Sequence, residues 1–220
     1  MAFFRPFGPP SQPRREPILN VPPVTQWLLL VLVGVHLVRL ALPDRLDMWV
    51  ILTFGFIPAR YTVPGAFDWG AAAAPIASML LHGGWLHLTV NGLALLAFGA
   101  GLERRIGGGR MLGLALVSGL AAAATQGAAF PDGTVPMIGA SGAISGIFGA
   151  VLRLLPGRRP GAGLRGLWPV IVVWVAINVA FGFARLPELG GEVAWVAHLG
   201  GFAAGLILFG LFDRHPRPPA

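Results

Sequence analysis

Long runs of uncharged, mostly apolar residues alternate with short charged joints along the whole chain. Six stretches of at least 19 residues contain no Asp, Glu, Lys or Arg: Pro17–Val38, Trp69–Leu102, Met111–Pro131, Gly133–Leu152, Gly166–Ala184 and Val193–Phe212. A helix rises 1.5 Å per residue and the hydrocarbon core of a bilayer is about 30 Å thick, so about 20 residues complete one crossing. The pattern predicts an all-α membrane protein with six transmembrane helices. The second stretch is longer than one crossing, and its helix is expected to start near Pro75. The first is not expected to be a cleavable signal. Its run is long, a Pro-rich arm precedes it, and no small-residue cleavage site closes it.

Between the first two spans, Pro43–Ala74 is too long for a plain turn. It includes the uncharged run Met48–Ala59 with Trp49, Phe54 and Phe56. That run is too short to span, and aromatic residues favour the headgroup region. It reads as an outer loop between helices 1 and 2, lying partly in the membrane interface. Residues 1–16 and 213–220 read as Pro/Arg-rich tails around a membrane domain at 17–212. There is no internal repeat.

Composition narrows the class further. Apolar residues make up 55% of the 220, charged residues only 11%, and the mean hydropathy is +0.72. Soluble domains carry about a quarter charged residues. The 32 Gly and 20 Pro would suit a disordered chain, but the hydropathy excludes one. With no Cys, disulfides, thiolate metal sites and Cys nucleophiles are all excluded.

A net charge of +7 would suggest nucleic acid as a partner of a soluble protein, yet its distribution argues against that. In the six-span topology Arg5, Arg14, Arg15, Arg104, Arg105, Arg110, Arg153, Arg158, Arg159, Arg165, Arg214 and Arg217 fall on one side. Only Arg39, Arg45, Arg60 and Arg185 fall on the other. The positive-inside rule then predicts both termini in the cytoplasm.

Ionisable and amide groups inside a span are costly and mark candidate function. Span 2 carries His82, His87 and Asn91; span 4 carries Ser141 and Ser145 in Gly139-Ala140-Ser141-Gly142; span 6 carries His198. Counting back from Arg153, Ser141 lies roughly 18 Å above the inner boundary, in the outer half of the membrane. Similar counts from Asp213 and Glu103 put His198, His87 and Asn91 in the same half. His87 and Asn91, four residues apart, share a helix face, while His82 points elsewhere, toward the outer loop. Gly139, Gly142, Gly146 and Gly149 in span 4, with Gly201 and Gly205 in span 6, let two membrane helices approach closely. That approach is expected to bring Ser141 within hydrogen-bond reach of His198, as a nucleophile and its base. His87 and Asn91 would then serve as side-chain donors to an oxyanion, with amides at the start of span 4.

Ordinary structural readings stand beside these. A Ser in a Gly-rich helix packs, and an intramembrane His or Asn bonds a neighbouring helix. His36, Asn178 and Ser145 are read in that structural way. The residues alone leave a catalytic site and a set of helix contacts both open.

The chain resembles the rhomboid family of intramembrane serine proteases over residues 20–212. Gly139-Ala140-Ser141-Gly142 resembles the family's GxSx nucleophile motif. Ala197-His198 with Gly201 and Gly205 resembles its AHxxGxxxG motif, and His82, His87 and Asn91 match the HxxxxHxxxN pattern of its second helix. Glu103-Arg104 is similar to the charged pair that commonly ends that helix. The family's outer-loop Trp-Arg pair is absent: Ala73 and Ala74 stand there.

The resemblance implies a six-helix bundle with a water-accessible cavity open to the outer face of a bacterial inner membrane. It implies acyl transfer by a Ser141–His198 dyad, an oxyanion held by the Ser141 amide, His87 and Asn91, and no metal or organic cofactor. No acid lies inside a span to orient His198, so packing is expected to do so. The implied partners are the lipid bilayer and single-pass or other transmembrane protein substrates; no oligomeric state follows.

Three alternatives stand beside this reading. One is a catalytically silent rhomboid-like protein that binds membrane clients. A second is a small transporter, disfavoured by uncharged spans and the lack of a repeat. The third is a zinc protease using His82, His87 and His198, disfavoured by the missing H-E-x-x-H.

Overall fold

The computed structural model describes residues 20–155, 166–183 and 194–213. Within these segments the regular structure is helical, with one isolated antiparallel bridge between Phe56 and Met137. The expected tails at 1–16 and 213–220, apart from Asp213, lie outside the described residues, as do Arg158, Arg159, Arg165 and Arg185 of the charge count. The helices are α1 (Pro23–Leu40), α2 (Asp44–Phe54), α3 (Ala59–Thr62), α4 (Trp69–Ala77), α5 (Trp85–Ile106), α6 (Gly108–Ala129), α7 (Ser141–Leu152), α8 (Trp168–Phe183) and α9 (Trp195–Phe212). Among the described residues α1, α5, α6 and α9 are long and apolar enough to cross a membrane; α7 and α8 are shorter apolar helices. Large apolar side chains such as Trp27, Leu30, Leu93, Val173 and Ile207 face outward, where a bilayer would cover them.

Two helix starts differ from the sequence expectation. The second span does not begin near Pro75. Pro75 lies inside α4, a 3-10 turn at Ser78–Leu80 ends that element, and the crossing helix starts only at Trp85. Gly83-Gly84 explains the break, because two glycines carry the largest entropic cost of helix entry. In the fourth span only Ser141–Leu152 is helical. The segment before it is held extended by the Phe56–Met137 bridge. Pro136 cannot donate to a helix, and Gly139 sits at φ +121, a conformation that L side chains rarely adopt. The outer loop is also more ordered than a loop, since it folds into α2, α3 and α4.

The core is built by α9 packed on α7 and α6. Leu102, Met111, Leu114, Ile147, Ala150 and Phe209 are fully buried there. Helix α1 joins at its N-terminus through one carboxylate. Glu103 Oε1 accepts from Val24 N at 2.9 Å, and Oε2 accepts from Thr25 N and Thr25 Oγ1, both at 2.7 Å. The first N–H groups of a helix have no partner of their own, and its N-terminus favours negative charge. Pro22 offers no side-chain cap, so Glu103 reaches across from α5 to supply one.

At the opposite end, two arginines tie down the outer loop that lacks the Trp-Arg pair. Arg39 of α1 makes a two-point ion pair with Asp47, at 2.7 and 3.0 Å, and donates to His82 O at 2.7 Å. Arg60 donates to the carbonyls of Leu52 and Thr53 and pairs with Asp68. Asp68 in turn caps α4 by accepting from Ala71 N at 2.8 Å. That backbone bond, with Arg60 beside it, holds the Asp68 carboxyl below its ordinary pKa. Burial pushes the Tyr61 hydroxyl upward, and it donates to Ala71 O at 2.6 Å.

Replacing Glu103 by Ala strands three donors at a buried helix start. Loss of stability should be about 2–4 kcal/mol, given the cost of unpaired buried groups. Glu103→Gln, which keeps one acceptor oxygen, should lose less. Thermal unfolding of the purified protein in micelles checks the order; equal stability of wild type and Glu103→Ala would contradict it.

Candidate active site

Glycine lets α7 and α9 meet backbone to backbone. A Cβ on Gly201 would collide with the Gly142 carbonyl, and one on Gly205 with the Gly146 carbonyl. On the α7 side, a Cβ on Gly149 would strike the Phe202 carbonyl. Small residues at such spacing allow this approach in membranes. It fixes the two helices in register, and Ser141 and His198 lie at the matching end of the seam.

The contact is direct. His198 Nε2 and Ser141 Oγ are 2.8 Å apart. His198 has a second partner that sequence reasoning missed: its Nδ1 lies 2.8 Å from Asn178 Oδ1 on α8. Asn178 does bond a neighbouring helix, as its sequence reading held, but the group it bonds is the candidate base. Besides packing, then, His198 has a hydrogen-bonding partner that the expectation did not include. The available signal was Asn178 itself, an amide in an otherwise apolar span.

His87 approaches from α5. Its Nδ1 accepts a long bond from Gly83 N at 3.4 Å, which for a neutral ring assigns the proton to Nε2. That Nε2 faces the notch left by the missing side chain of Gly139. A Cβ there would stand 2.7 Å from His87 Nε2 and 3.6 Å from Ser141 Oγ. Asn91, one turn further along α5, is buried, and its Nδ2 has no partner within the structure. Ser141 is the first residue of α7, and its helix N-terminus has no side-chain cap. The first amides of a helix have no partner further back in the helix itself.

His82 lies beside His87. It is buried, its ring lies 5.0 Å from that of His87 at 69°, and neither of its ring nitrogens has a partner. His36 is likewise buried against Trp85, with ring centroids 4.8 Å apart. Among the described residues no three His, Asp or Glu side chains converge in a way that could hold a metal ion.

Comparison with known proteins fits this geometry. The rhomboid domain profile matches residues 72–214. "Rhomboid protease GluP" of Bacillus subtilis (strain 168) is 36% identical over 138 residues, covering 63% of this chain and 25% of that protein. "Putative rhomboid protease YdcA" of the same organism is 30% identical over 145 residues, covering 64% and 66%. "RHOMBOID-like protein 5" of Arabidopsis thaliana is 32% identical over 134 residues, covering 60% and 41%. The matched region spans less than two thirds of the length of each of these relatives. The chain belongs to the rhomboid family, and it is a membrane protein of that protease family.

The seam yields a prediction. Gly201→Ala forces α9 away from the Gly142 carbonyl, and were Ser141 and His198 to react as a pair, a displacement near 1 Å would cost about 100-fold in rate. Turnover and stability should both fall. Gly210 lies on the same helix with nothing within 4 Å of a Cβ, so Gly210→Ala should leave both unchanged. Parallel turnover and melting measurements on the two variants check this, and equal activities would contradict it.

Proposed function

We propose that this chain is an intramembrane serine endopeptidase that cleaves transmembrane substrates in or near their membrane helix with a Ser141–His198 dyad. The observation that carries the reading is the 2.8 Å contact between Ser141 Oγ and His198 Nε2 inside an apolar bundle. A serine with a base in hydrogen-bond reach is an activated nucleophile. His198 Nε2 takes the Ser141 proton as Oγ attacks a peptide carbonyl carbon. The resulting oxyanion is held by the Ser141 amide, His87 Nε2–H and the Asn91 amide, around the notch at Gly139. His198 then gives the proton to the leaving amine, and the C–N bond breaks. Water, deprotonated by His198, hydrolyses the acyl-enzyme and restores Ser141. No step calls for a metal or organic cofactor. An intact substrate helix keeps its carbonyls in its own hydrogen bonds, so the substrate must unwind locally.

In this reading α7 and α8 complete a six-helix membrane domain at 17–212. The twelve-to-four split of Arg supports a topology with both termini in the cytoplasm and the site open to the outer side of a bacterial inner membrane.

Purified protein with a transmembrane substrate in liposomes provides the test. Ser141→Ala and His198→Ala should each abolish cleavage without unfolding, and the double variant should be no worse, because the two act as a unit. Asn91→Ala should reduce kcat about 10- to 1,000-fold with little change in KM, the range expected for one oxyanion donor. Near-wild-type turnover in Ser141→Ala would end the protease reading. A wild type that binds transmembrane peptides without cutting them would identify a silent client-binding member instead.

A further inference from the structure

A histidine can accept the serine proton at Nε2 only if its own proton sits on Nδ1. What faces Nδ1 therefore decides whether the contact between Ser141 and His198 is productive. That neighbour is Asn178 Oδ1, at 2.8 Å.

The amide is held in one orientation from its own helix. Asn178 Nδ2 donates to Trp174 O, one turn earlier, at 2.8 Å. A flipped amide would set its oxygen against the Trp174 carbonyl, two acceptors face to face, and would present an N–H to His198 Nδ1. Hydrogen-bond satisfaction therefore puts Oδ1 toward the ring, where it can only accept.

Docking of α8 on α9 is also specific. Trp174 stacks on Phe202 with ring centroids 4.2 Å apart and planes at 19°. One turn along, Asn178 meets His198, and at the next turn Gly182 makes room for the Trp195 ring, which a Cβ would strike. These three antiparallel rungs deliver Oδ1 to the imidazole.

We propose that Asn178 is a positioning residue, the neutral third member of a Ser141–His198–Asn178 relay. It holds His198 in the Nδ1–H tautomer and fixes its ring plane. An amide suits this place better than a carboxylate, because it accepts the Nδ1–H bond without putting an unpaired anion in the bilayer interior. The inference rests on the proposed Ser141–His198 dyad, which it deepens.

The test has a part that needs no variant. In the wild-type protein with 15N-labelled histidine, the ring spectrum reports which nitrogen carries the proton. A His198→Gln sample identifies the His198 signal among the five histidines. Neutral His198 should be the Nδ1–H tautomer, and a predominant Nε2–H tautomer would overturn the proposal.

The second part is kinetic. Asn178→Leu removes the acceptor and should lower kcat about 10- to 100-fold with KM within twofold. The full loss from a wrong tautomer in a serine triad, about 10,000-fold, sets the upper bound. Asn178→Asp restores an acceptor and should recover most of the lost kcat. A merely structural Asn178 would lower the melting temperature of both variants and leave the kcat of the surviving folded enzyme intact. Where Asn178→Asp fails to fold, the wild-type ring spectrum decides.

Unchanged kcat in Asn178→Leu, with Ser141→Ala inactive, overturns the positioning role and leaves the dyad standing. Activity in Ser141→Ala overturns the dyad itself.

Discussion

Backbone contact between α7 and α9 is the constraint on which the rest of the site depends. At Gly142–Gly201 and Gly146–Gly205 the helices are so close that a Cβ on the α9 member would overlap a carbonyl oxygen of α7. Water cannot drive helix association in a bilayer, so shape and direct contact must do it. Such an interface has few alternative registers. Sliding α9 by one residue in one direction would set Phe202 and Leu206 against the α7 carbonyls, and in the other Ala204 would replace Gly205. The fit that holds the bundle together is also what sets Ser141 and His198 at 2.8 Å.

Several polar groups at the two ends of the bundle are tied down by long-range hydrogen bonds. Glu103 satisfies three donors at the start of α1, while Arg39 and Arg60 are bonded to carboxylates and carbonyls of the outer loop. Burial in a low-dielectric interior makes anything less costly. Around the candidate site the pattern differs. Both ring nitrogens of His36 and of His82, and the amide nitrogen of Asn91, are buried without partners. For Asn91, unused donor capacity is what an oxyanion site needs before its ligand arrives.

How much of this could be read from the sequence varied with the physics behind each element. The apolar runs gave the helical membrane class, and the glycine spacing pointed to the seam between α7 and α9. His87, Asn91, Ser141 and His198 stood out because polar groups are rare in spans. Helix starts were less legible. Gly83-Gly84 breaks the second span, and Pro136 with Gly139 delays the fourth, although both lie within uncharged runs. Charge-free length says where a chain tolerates lipid, not where its backbone is helical. Asn178 was visible as a polar residue, but its pairing with His198 depends on how α8 docks on α9. That docking leaves no local periodicity in the sequence.

The central claim is that the α7–α9 contact turns Ser141 into a nucleophile by holding His198 against it. Covalent capture of Ser141 measures this most directly. Wild-type protein in liposomes would be treated with a fluorophosphonate and the adduct located by peptide mass spectrometry, with His198→Ala handled in parallel. The account predicts one adduct, on Ser141, formed in wild type and lost in His198→Ala. Labelling of another serine, or equal labelling of Ser141 with and without His198, would contradict it.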